Sequence, residues 1–391
     1  MPEVKRQSVV RLTDYRDTGG EHPPLPGVEA LPPDVRQKAL SVGIQAERAC
    51  RSGSFFQMDH SVLFSESFAE GLEVMSSQEA LARHDWLEEL RWRLVKREAD
   101  DYTKATATGG RHGYFIRALP GAKVQMPLQA CLFLEEEGLA QKVHNIIIAE
   151  EGSELNIITG CASGHRVRSG LHVGVSEFYV RRGATVSFTM IHSWGENVAV
   201  RPRSGALVEE GGTFLSNYIC LKPVGNLQMY PTVWCRGEGA LVRLHSVLYA
   251  GPGTTLDVGG RVHLEKPHAR AEIISRSITR GGEIIARGHL IGSAPDVKAH
   301  LECRGLILGG GGRIYAIPEL EGSVEGVDMS HEAAVGKIAE EEIQYLSARG
   351  LDSDEAVAMI VRGFLDVDIK GLPEALKDEI RRAIDASQAA M

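Results

Sequence analysis

Short runs of alternating apolar and polar residues fill the chain from about residue 121 to about residue 325. After Gly152, for example, Leu155 and Ile157 alternate with polar neighbours, which is typical of a half-buried strand. Comparable runs begin after Gly183, Gly212 and Gly239, at successive intervals of 31, 29 and 27 residues. This repetition predicts a stacked solenoid, in which each rung buries its apolar face against its neighbours. An antiparallel sandwich contains strands of similar length and remains the alternative.

The chain before this repeat has a mixed, partly helical pattern. Its clearest element is a predicted helix over residues 76–98, with Ser77 as N-cap and Glu79 in the first turn. We therefore predict a mixed N-terminal region over 1–120 and a β-solenoid over 121–328.

From about residue 329 to residue 391 the apolar period becomes helical. Gly350 is a suitable residue to end a first helix, and Asp352 precedes Glu355 by three residues, the spacing of a capping box. Pro373 stands where the first position of a further helix is expected. Residues 329–391 are therefore predicted to form a C-terminal helical domain.

Composition adds limits on function. Of 391 residues, 43% are hydrophobic and 24% are charged, as in ordinary soluble proteins, and the tight corners of a solenoid account for the 43 glycines. The formal net charge of −9 argues against sequence-independent binding of nucleic acid. The six cysteines form no CxxC pair, so they predict neither a disulfide framework nor a zinc finger, and they fit a reducing cytosol.

Neither a targeting segment nor a membrane segment is evident. The opening residues MPEVKRQSVV lack the apolar stretch of a signal peptide, and no apolar run reaches the ~18 residues that span a bilayer. We therefore expect a cytoplasmic protein.

Sequence motifs for nucleotide binding and for hydrolysis are also absent. The sequence contains no GxxxxGK[ST] loop, no GxGxxG opening a helix, no HExxH and no GxSxG. The glycine-rich LGGGGRI at 308–314 lacks the lysine and the following helix, so it predicts a turn. We expect this chain not to hydrolyse a nucleotide by itself.

Cys303 and the adjacent pair His331 and Glu332 are the candidates for chemistry. They lie 28 residues apart, about one rung, so the solenoid could stack them on one face. Thiolate, imidazole and carboxylate are side chains that bind iron or zinc. A structural role is the alternative, because Cys303 alternates with Leu301 as an inward core thiol would, and Glu332 suits the start of a helix.

Four stretches together resemble the SufB/SufD family of iron–sulfur cluster assembly proteins. They are HNIIIAEEGSELNIITGC, ISRSITRGG, LECRGLIL and SHEAAVGKIAEEEIQYLSARGLDSDEAVAMIVRGF, and the resemblance runs from about Pro127 to about Ile384. It implies a mainly β protein, a right-handed parallel β-helix flanked by helical regions. It also implies a non-enzymatic scaffold for a transient iron–sulfur cluster, and a SufC-like ABC-type ATPase docked on the C-terminal helices.

The resemblance extends to single residues. Cys303 falls on the SufB-type cysteine tied to cluster assembly, Glu332 on the SufB-type glutamate, and His331 on the histidine before it. SufD-type members read more like SHGATVG, so SHEAAVG combines features of both and favours a homodimer that builds the nascent cluster at its interface. A SufD-like architectural subunit, which positions the ATPase but holds no cluster, is the alternative.

Sulfur delivery departs from the SufB pattern. The sulfur-receiving cysteine that SufB members carry is expected between Cys161 and Cys220, and no cysteine lies there. The resemblance further implies a sulfur donor, acceptor apoproteins and, in some members, a reduced flavin.

A nucleophilic Cys-His-Glu enzyme is a third hypothesis, and it requires a depressed pKa of the Cys303 thiol.

Overall fold

The computed structural model describes residues 10–309 and 311–365. The helix predicted at Pro373 lies outside these residues. Before the solenoid, short strands and helices follow one another: α1 (Pro33–Leu40), β1 (Gly53–Met58), β2 (Ser61–Ser67), β3 (Leu72–Ser76), α2 (Ser77–Arg83), α3 (Asp101–Thr108) and β4 (Tyr114–Ala118). Two 3-10 turns precede α1, at Leu12–Asp14 and Val28–Ala30, and two lie between later elements, at Arg48–Cys50 and Asp85–Glu89.

Sixteen strands then form the solenoid, and two helices follow it. The strands are β5 (Lys123–Leu134), β6 (Ala140–Ala149), β7 (Glu154–Ser163), β8 (Ser169–Val180), β9 (Thr185–Ser193), β10 (Asn197–Val208), β11 (Thr213–Cys220), β12 (Asn226–Met229), β13 (Thr232–Cys235), β14 (Leu241–Ala250), β15 (Thr255–Leu264), β16 (Arg270–Thr279), β17 (Glu283–Gly292), β18 (Lys298–Ile307), β19 (Arg313–Gly322) and β20 (Asp328–Gly336). The helices are α4 (Glu340–Ser347) and α5 (Ser353–Leu365).

Successive strands alternate between two sheets. The first sheet has the order β2-β1-β5-β7-β9-β11-β14-β16-β18-β20. The second sheet has the order β3-β4-β6-β8-β10-β12-β15-β17-β19, and β13 also pairs with β10 and β15. Solenoid strands pair in parallel within each sheet, and the main apolar cluster collects inward-facing side chains of both sheets. The predicted parallel β-helix is confirmed, and the sandwich alternative is wrong because a sandwich requires antiparallel pairing.

Glycines turn many of the corners, as the repeat predicts. Gly152, Gly183 and Gly239 have φ between +64° and +67°, which residues with a Cβ rarely adopt. At the corner predicted for Gly212, the positive φ of +60° belongs to Gly211.

The two ends of the solenoid differ. At the N-terminal end, β2 and β3 add antiparallel strands to the first and second sheets and cover the first rung. At the C-terminal end, β20 and β19 are the last strands of the first and second sheets within the described residues. We call this pair of strands the open end.

The solenoid extends further along the chain than the sequence predicted, to the end of β20. The helical domain was predicted to start at residue 329, but β20 continues the first sheet to Gly336 and α4 begins at Glu340. Hydrogen bonding to the edge of β18 overrides the local helix preference of an alanine-containing segment. The predicted capping box of α5 is present: the backbone N–H of Glu355 donates to Asp352 Oδ1 at 2.8 Å, and that of Asp352 donates to Glu355 Oε2 at 3.0 Å.

The long helix predicted over 76–98 is wrong. Ser76, not Ser77, caps α2, and the helix ends at Arg83. Further on, Trp92 has φ +63°, because the fully buried carboxylate of Glu177 accepts hydrogen bonds from the backbone N–H groups of Trp92 and Leu94 at 2.6 Å each.

Candidate functional site

Cys303 lies on β18, one strand before the end of the first sheet, and its side chain points into the solenoid. It is 2% exposed and belongs to the main apolar cluster with Leu301. In the register of the sheet it lies between Ser275 on β16 and Ala333 on β20. The alternation of Ala299, Leu301 and Cys303 as buried residues is that of a strand with one face in the core.

His331 and Glu332 lie on β20, so they occupy a strand and not a helix start. His331 is in register with the inward Leu301, and Glu332 with the outward Glu302. Because neighbouring residues of a strand point to opposite faces, His331 belongs to the inner face and Glu332 to the outer face. Both are exposed, since β20 is the last strand of its sheet.

The structure therefore brings together two of the three candidates. Cys303 and His331 share the inner face as diagonal neighbours on adjacent strands. Glu332 lies across the sheet from them. No single pocket of one protomer contains all three side chains, because the sheet separates the thiol from the carboxylate.

Glu332 is held on the outer face by ion pairs that connect three rungs. Arg304 Nη2 lies 2.9 Å from Glu332 Oε1, and Arg304 Nε lies 2.7 Å from Glu302 Oε1. Glu302 Oε1 also lies 2.6 Å from Arg276 Nη2 on β16. The order Arg276, Glu302, Arg304, Glu332 alternates in charge across β16, β18 and β20, which neutralises each carboxylate.

Two further residues belong to this outer surface, and the sequence interpretation missed them as site residues. His300 and Glu302 on β18 have ligand atoms within 4.8 Å of each other and of a carboxylate oxygen of Glu332. His300 lies between the inward residues Ala299 and Leu301 and is in register with Ser330, so its side chain belongs to the outer face. The sequence did contain a signal for this group. Residues 300 and 302 are two positions apart and so share one face of a strand, and Glu332 follows about one rung later.

A second group of possible metal ligands, His22, Asp59 and Glu136, has a structural explanation. The fully buried carboxylate of Asp59 contacts His22 Nε2 at 2.8 Å and accepts a 2.8 Å hydrogen bond from the backbone N–H of Glu135. These contacts fasten the N-terminal segment to the corner after β5.

Burial governs the protonation of Cys303. Desolvation is the main cause that raises the pKa of its thiol to about 11; the neighbouring Glu302 carboxylate raises it further, and Arg276 opposes the shift. The thiol is thus protonated at neutral pH. A nucleophilic cysteine needs the opposite shift, so this pKa argues against the hypothesis of a Cys-His-Glu enzyme.

All six cysteines are free thiols. Cys161 and Cys220 face the interior of earlier rungs, and burial raises the pKa of both thiols. Among the helices of residues 10–309 and 311–365, none has the length and apolar character to cross a membrane.

Known proteins extend these observations. The family described as SUF system FeS cluster assembly, SufBD core domain, matches residues 132–364, from β5 into α5. An iron-sulfur cluster assembly SufBD family protein of Archaeoglobus fulgidus is 51% identical over 353 residues, which cover 90% of this chain and 95% of the relative.

Two further relatives span even more of the chain. A SufBD family protein of Methanothermobacter thermautotrophicus (strain Winter) is 48% identical over 381 residues, or 96% of this chain and 93% of the relative. One from Pyrococcus horikoshii is 30% identical over 391 residues, or 98% of this chain and 87% of the relative. With a matching family core and such coverage, this chain belongs to the SufBD family of SUF-system iron–sulfur cluster assembly proteins.

Proposed function

We propose that this chain is a scaffold that builds a nascent iron–sulfur cluster at the interface of a homodimer, with a SufC-like ATPase as partner. The observation that carries the proposal is the shared inner face of Cys303 and His331 at the open end. Within the residues that the structure describes, His331 lies on the edge strand of the first sheet and Cys303 lies on the strand next to it.

The open end supports pairing with a second copy. Apolar side chains remain exposed on and near its strands, including Leu320 (37%), Val324 (43%) and Val335 (42%). A free strand edge next to exposed apolar residues is favourable for pairing with another chain. A twofold arrangement brings identical surfaces together, so one interface would cover both free edges.

Such a dimer also supplies enough ligands. One protomer offers one thiol and one imidazole on the inner face, which is too few to enclose a cluster that usually takes four protein ligands. Two protomers double the set. Mixed sulfur and nitrogen ligation should hold iron less firmly than four thiolates, which suits a scaffold that must release its cluster.

The pKa of Cys303 fits intermittent binding. A thiol must lose its proton to bind iron, and binding therefore competes with a proton held at a pKa of about 11. This competition with the proton makes Cys303 a weak ligand for iron. Burial protects the free thiol from reaction with other partners between cycles.

The C-terminal helices support ATPase docking. Tyr345 on α4 and Met359 on α5 are large apolar side chains more than half exposed, as expected of a docking surface. Because only a short linker separates Gly336, the end of β20, from Glu340, the start of α4, motion of a bound ATPase would reach the open end directly. The absence of a phosphate loop from the sequence agrees with a separate motor chain.

The test is anaerobic co-purification with a SufC-like ATPase followed by reconstitution with iron and sulfide. The proposal predicts a cluster chromophore at less than one cluster per chain, lost in Cys303→Ala and reduced in His331→Ala. Cys235→Ala, which removes another buried inward thiol, is the matched control and should retain the chromophore. A chromophore that survives Cys303→Ala unchanged would contradict the scaffold proposal.

The second candidate is a SufD-like architectural subunit. It is favoured by the separation of Glu332 from Cys303 by the sheet, since a complete ligand set is then missing from one protomer. This candidate predicts normal ATPase binding and no chromophore in the wild-type homodimer.

A further inference from the structure

We propose that His300, Glu302 and Glu332 form a ferrous-iron loading site on the outer face of the first sheet, with Arg304 as its displaceable counter-ion. The site is separate from Cys303 and His331, which lie across the sheet. This inference rests on the proposed function, because it assigns the loaded iron to cluster assembly.

The geometry of the donor atoms supports a shared cation. One ligand atom from each of the three side chains lies within 4.8 Å of the other two. Donors that each bind one ion at ~2.0–2.2 Å lie at most about 4.4 Å apart, so side-chain shifts of a few tenths of an ångström bring all three atoms onto one ion. His300 and Glu302 come from β18 and Glu332 from β20, so hydrogen bonding between the two strands fixes their relative positions.

The structure already holds a positive group between the two carboxylates. The Arg304 guanidinium contacts Glu302 at 2.7 Å and Glu332 at 2.9 Å, which marks the electrostatically favourable position for a cation. Its side chain is 44% exposed, whereas Arg276, the other partner of Glu302, is 13% exposed. Arg304 can therefore move into water when iron arrives, while Arg276 keeps Glu302 in place.

The two faces of the sheet thus offer different ligand chemistry. Two carboxylates and an imidazole suit ferrous iron before sulfide is present, whereas the inner thiol suits iron that is already in a sulfur environment. Iron would consequently occupy the outer site first and reach the open end from there.

The test uses Co²⁺ alone, added anaerobically to the full chain carrying Cys303→Ala. Binding to oxygen and nitrogen donors gives weak visible d–d bands, whereas thiolate ligation would add an intense near-ultraviolet charge-transfer band. We expect d–d bands without that charge transfer. Glu302→Gln and His300→Asn should each weaken Co²⁺ binding about tenfold or more. His300→Asn keeps the test valid if the ion-paired Glu302 proves necessary for folding.

The second sheet supplies a matched control. His289 and Glu321 form an outward His–Glu pair, with 3.6 Å between His289 Nε2 and Glu321 Oε2, on the last two strands of that sheet. Glu321→Gln and His289→Asn should leave Co²⁺ affinity unchanged.

Arg304 gives the most diagnostic result. Replacing it by Gln removes the competing cation, so Arg304→Gln should bind Co²⁺ about threefold to fivefold more tightly, while Arg304→Lys should stay close to wild type. Equal affinities of wild type, Arg304→Gln and His300→Asn would overturn the loading site. That result would leave the scaffold proposal intact, because the proposal depends on the chromophore lost in Cys303→Ala and not on Co²⁺ binding.

Discussion

A leucine lies on the strand at each end of the second sheet, and the two leucines have opposite environments. Leu72 on β3 is 6% exposed, because the N-terminal strands and helices pack around the first rung. Leu320 on β19, the last strand of the same sheet, is 37% exposed. A solenoid needs a neighbour on each side of every rung, so a covered end stabilises the fold and an uncovered end is suited to binding.

Truncation of the two leucines should separate these roles most strongly. Leu72→Ala should lower the free energy of unfolding by about 2–5 kcal/mol, because it leaves a cavity at a buried position. Leu320→Ala should lower it by less than about 1 kcal/mol in the isolated chain, since much of its surface already meets water. Urea denaturation of both variants measures the difference. Equal losses would show that the two ends are equivalent.

Thiol reactivity is expected to show the next largest effect. Cys303 has its pKa raised to about 11 by burial, whereas the Cys50 side chain is partly exposed to solvent. At pH 8, iodoacetamide should modify Cys303 on the order of a hundredfold more slowly than Cys50, as read by peptide mass spectrometry.

The raised pKa of Cys303 also predicts how its alkylation rate and its contribution to stability change with pH. Only the thiolate reacts, so alkylation of Cys303 should rise steeply as pH approaches about 11. The folded state holds the thiol proton more tightly than the unfolded state, so this group's contribution to stability should fall as pH rises from 9.0 toward about 11. Rapid modification of Cys303 at pH 8 would show that its burial is not maintained in solution.

Self-association at the open end should respond more moderately. Val335→Lys places a charge among the exposed apolar residues of β20, and it should weaken the dimer about tenfold because the ammonium would lose water at the interface. Sedimentation velocity over a range of concentrations measures this change. Tyr345→Lys, on α4, adds the same charge elsewhere and should leave the dimer unchanged. A dimer that is insensitive to Val335→Lys would place the interface away from the open end.

The smallest effect is expected on the outer face. Arg304→Gln breaks ion pairs of a half-exposed side chain, so the free energy of unfolding should fall by less than about 1 kcal/mol, and 1 M salt should reduce the difference. Thermal unfolding in low and high salt is the measurement. A loss of several kcal/mol would mean that Arg304 is required for folding, and that it cannot give way to a metal ion.

Several features were predictable because their causes are local. The positive φ of Gly152 and Gly183, and the reciprocal hydrogen bonds of Asp352 and Glu355, depend on residues within a few positions. The break in the helix predicted over 76–98 has a distant cause. Glu177 captures the backbone of Trp92 from 85 residues away, and no short-range pattern indicates that contact.

The residues of the candidate site also divide into those that the sequence identified and those that only the strand pairing revealed. The sequence identified Cys303, His331 and Glu332 as notable, but it assigned the last two to the start of a helix. Once β20 is known to be a strand, the alternation of side chains alone puts His331 and Glu332 on opposite faces. His300 and Glu302 gain meaning only through that same pairing with β20.

By itself the sequence determined a repeated strand with glycine corners and favoured a solenoid over a sandwich, because side-chain period and backbone φ are properties of neighbouring residues. Only the tertiary structure decided that the segment from Asp328 to Gly336 is the last rung, since its strand conformation depends on hydrogen bonds to β18. The tertiary structure also decided which end of the solenoid is covered and on which side of the sheet each donor atom lies. Those outcomes depend on contacts between segments far apart in the chain.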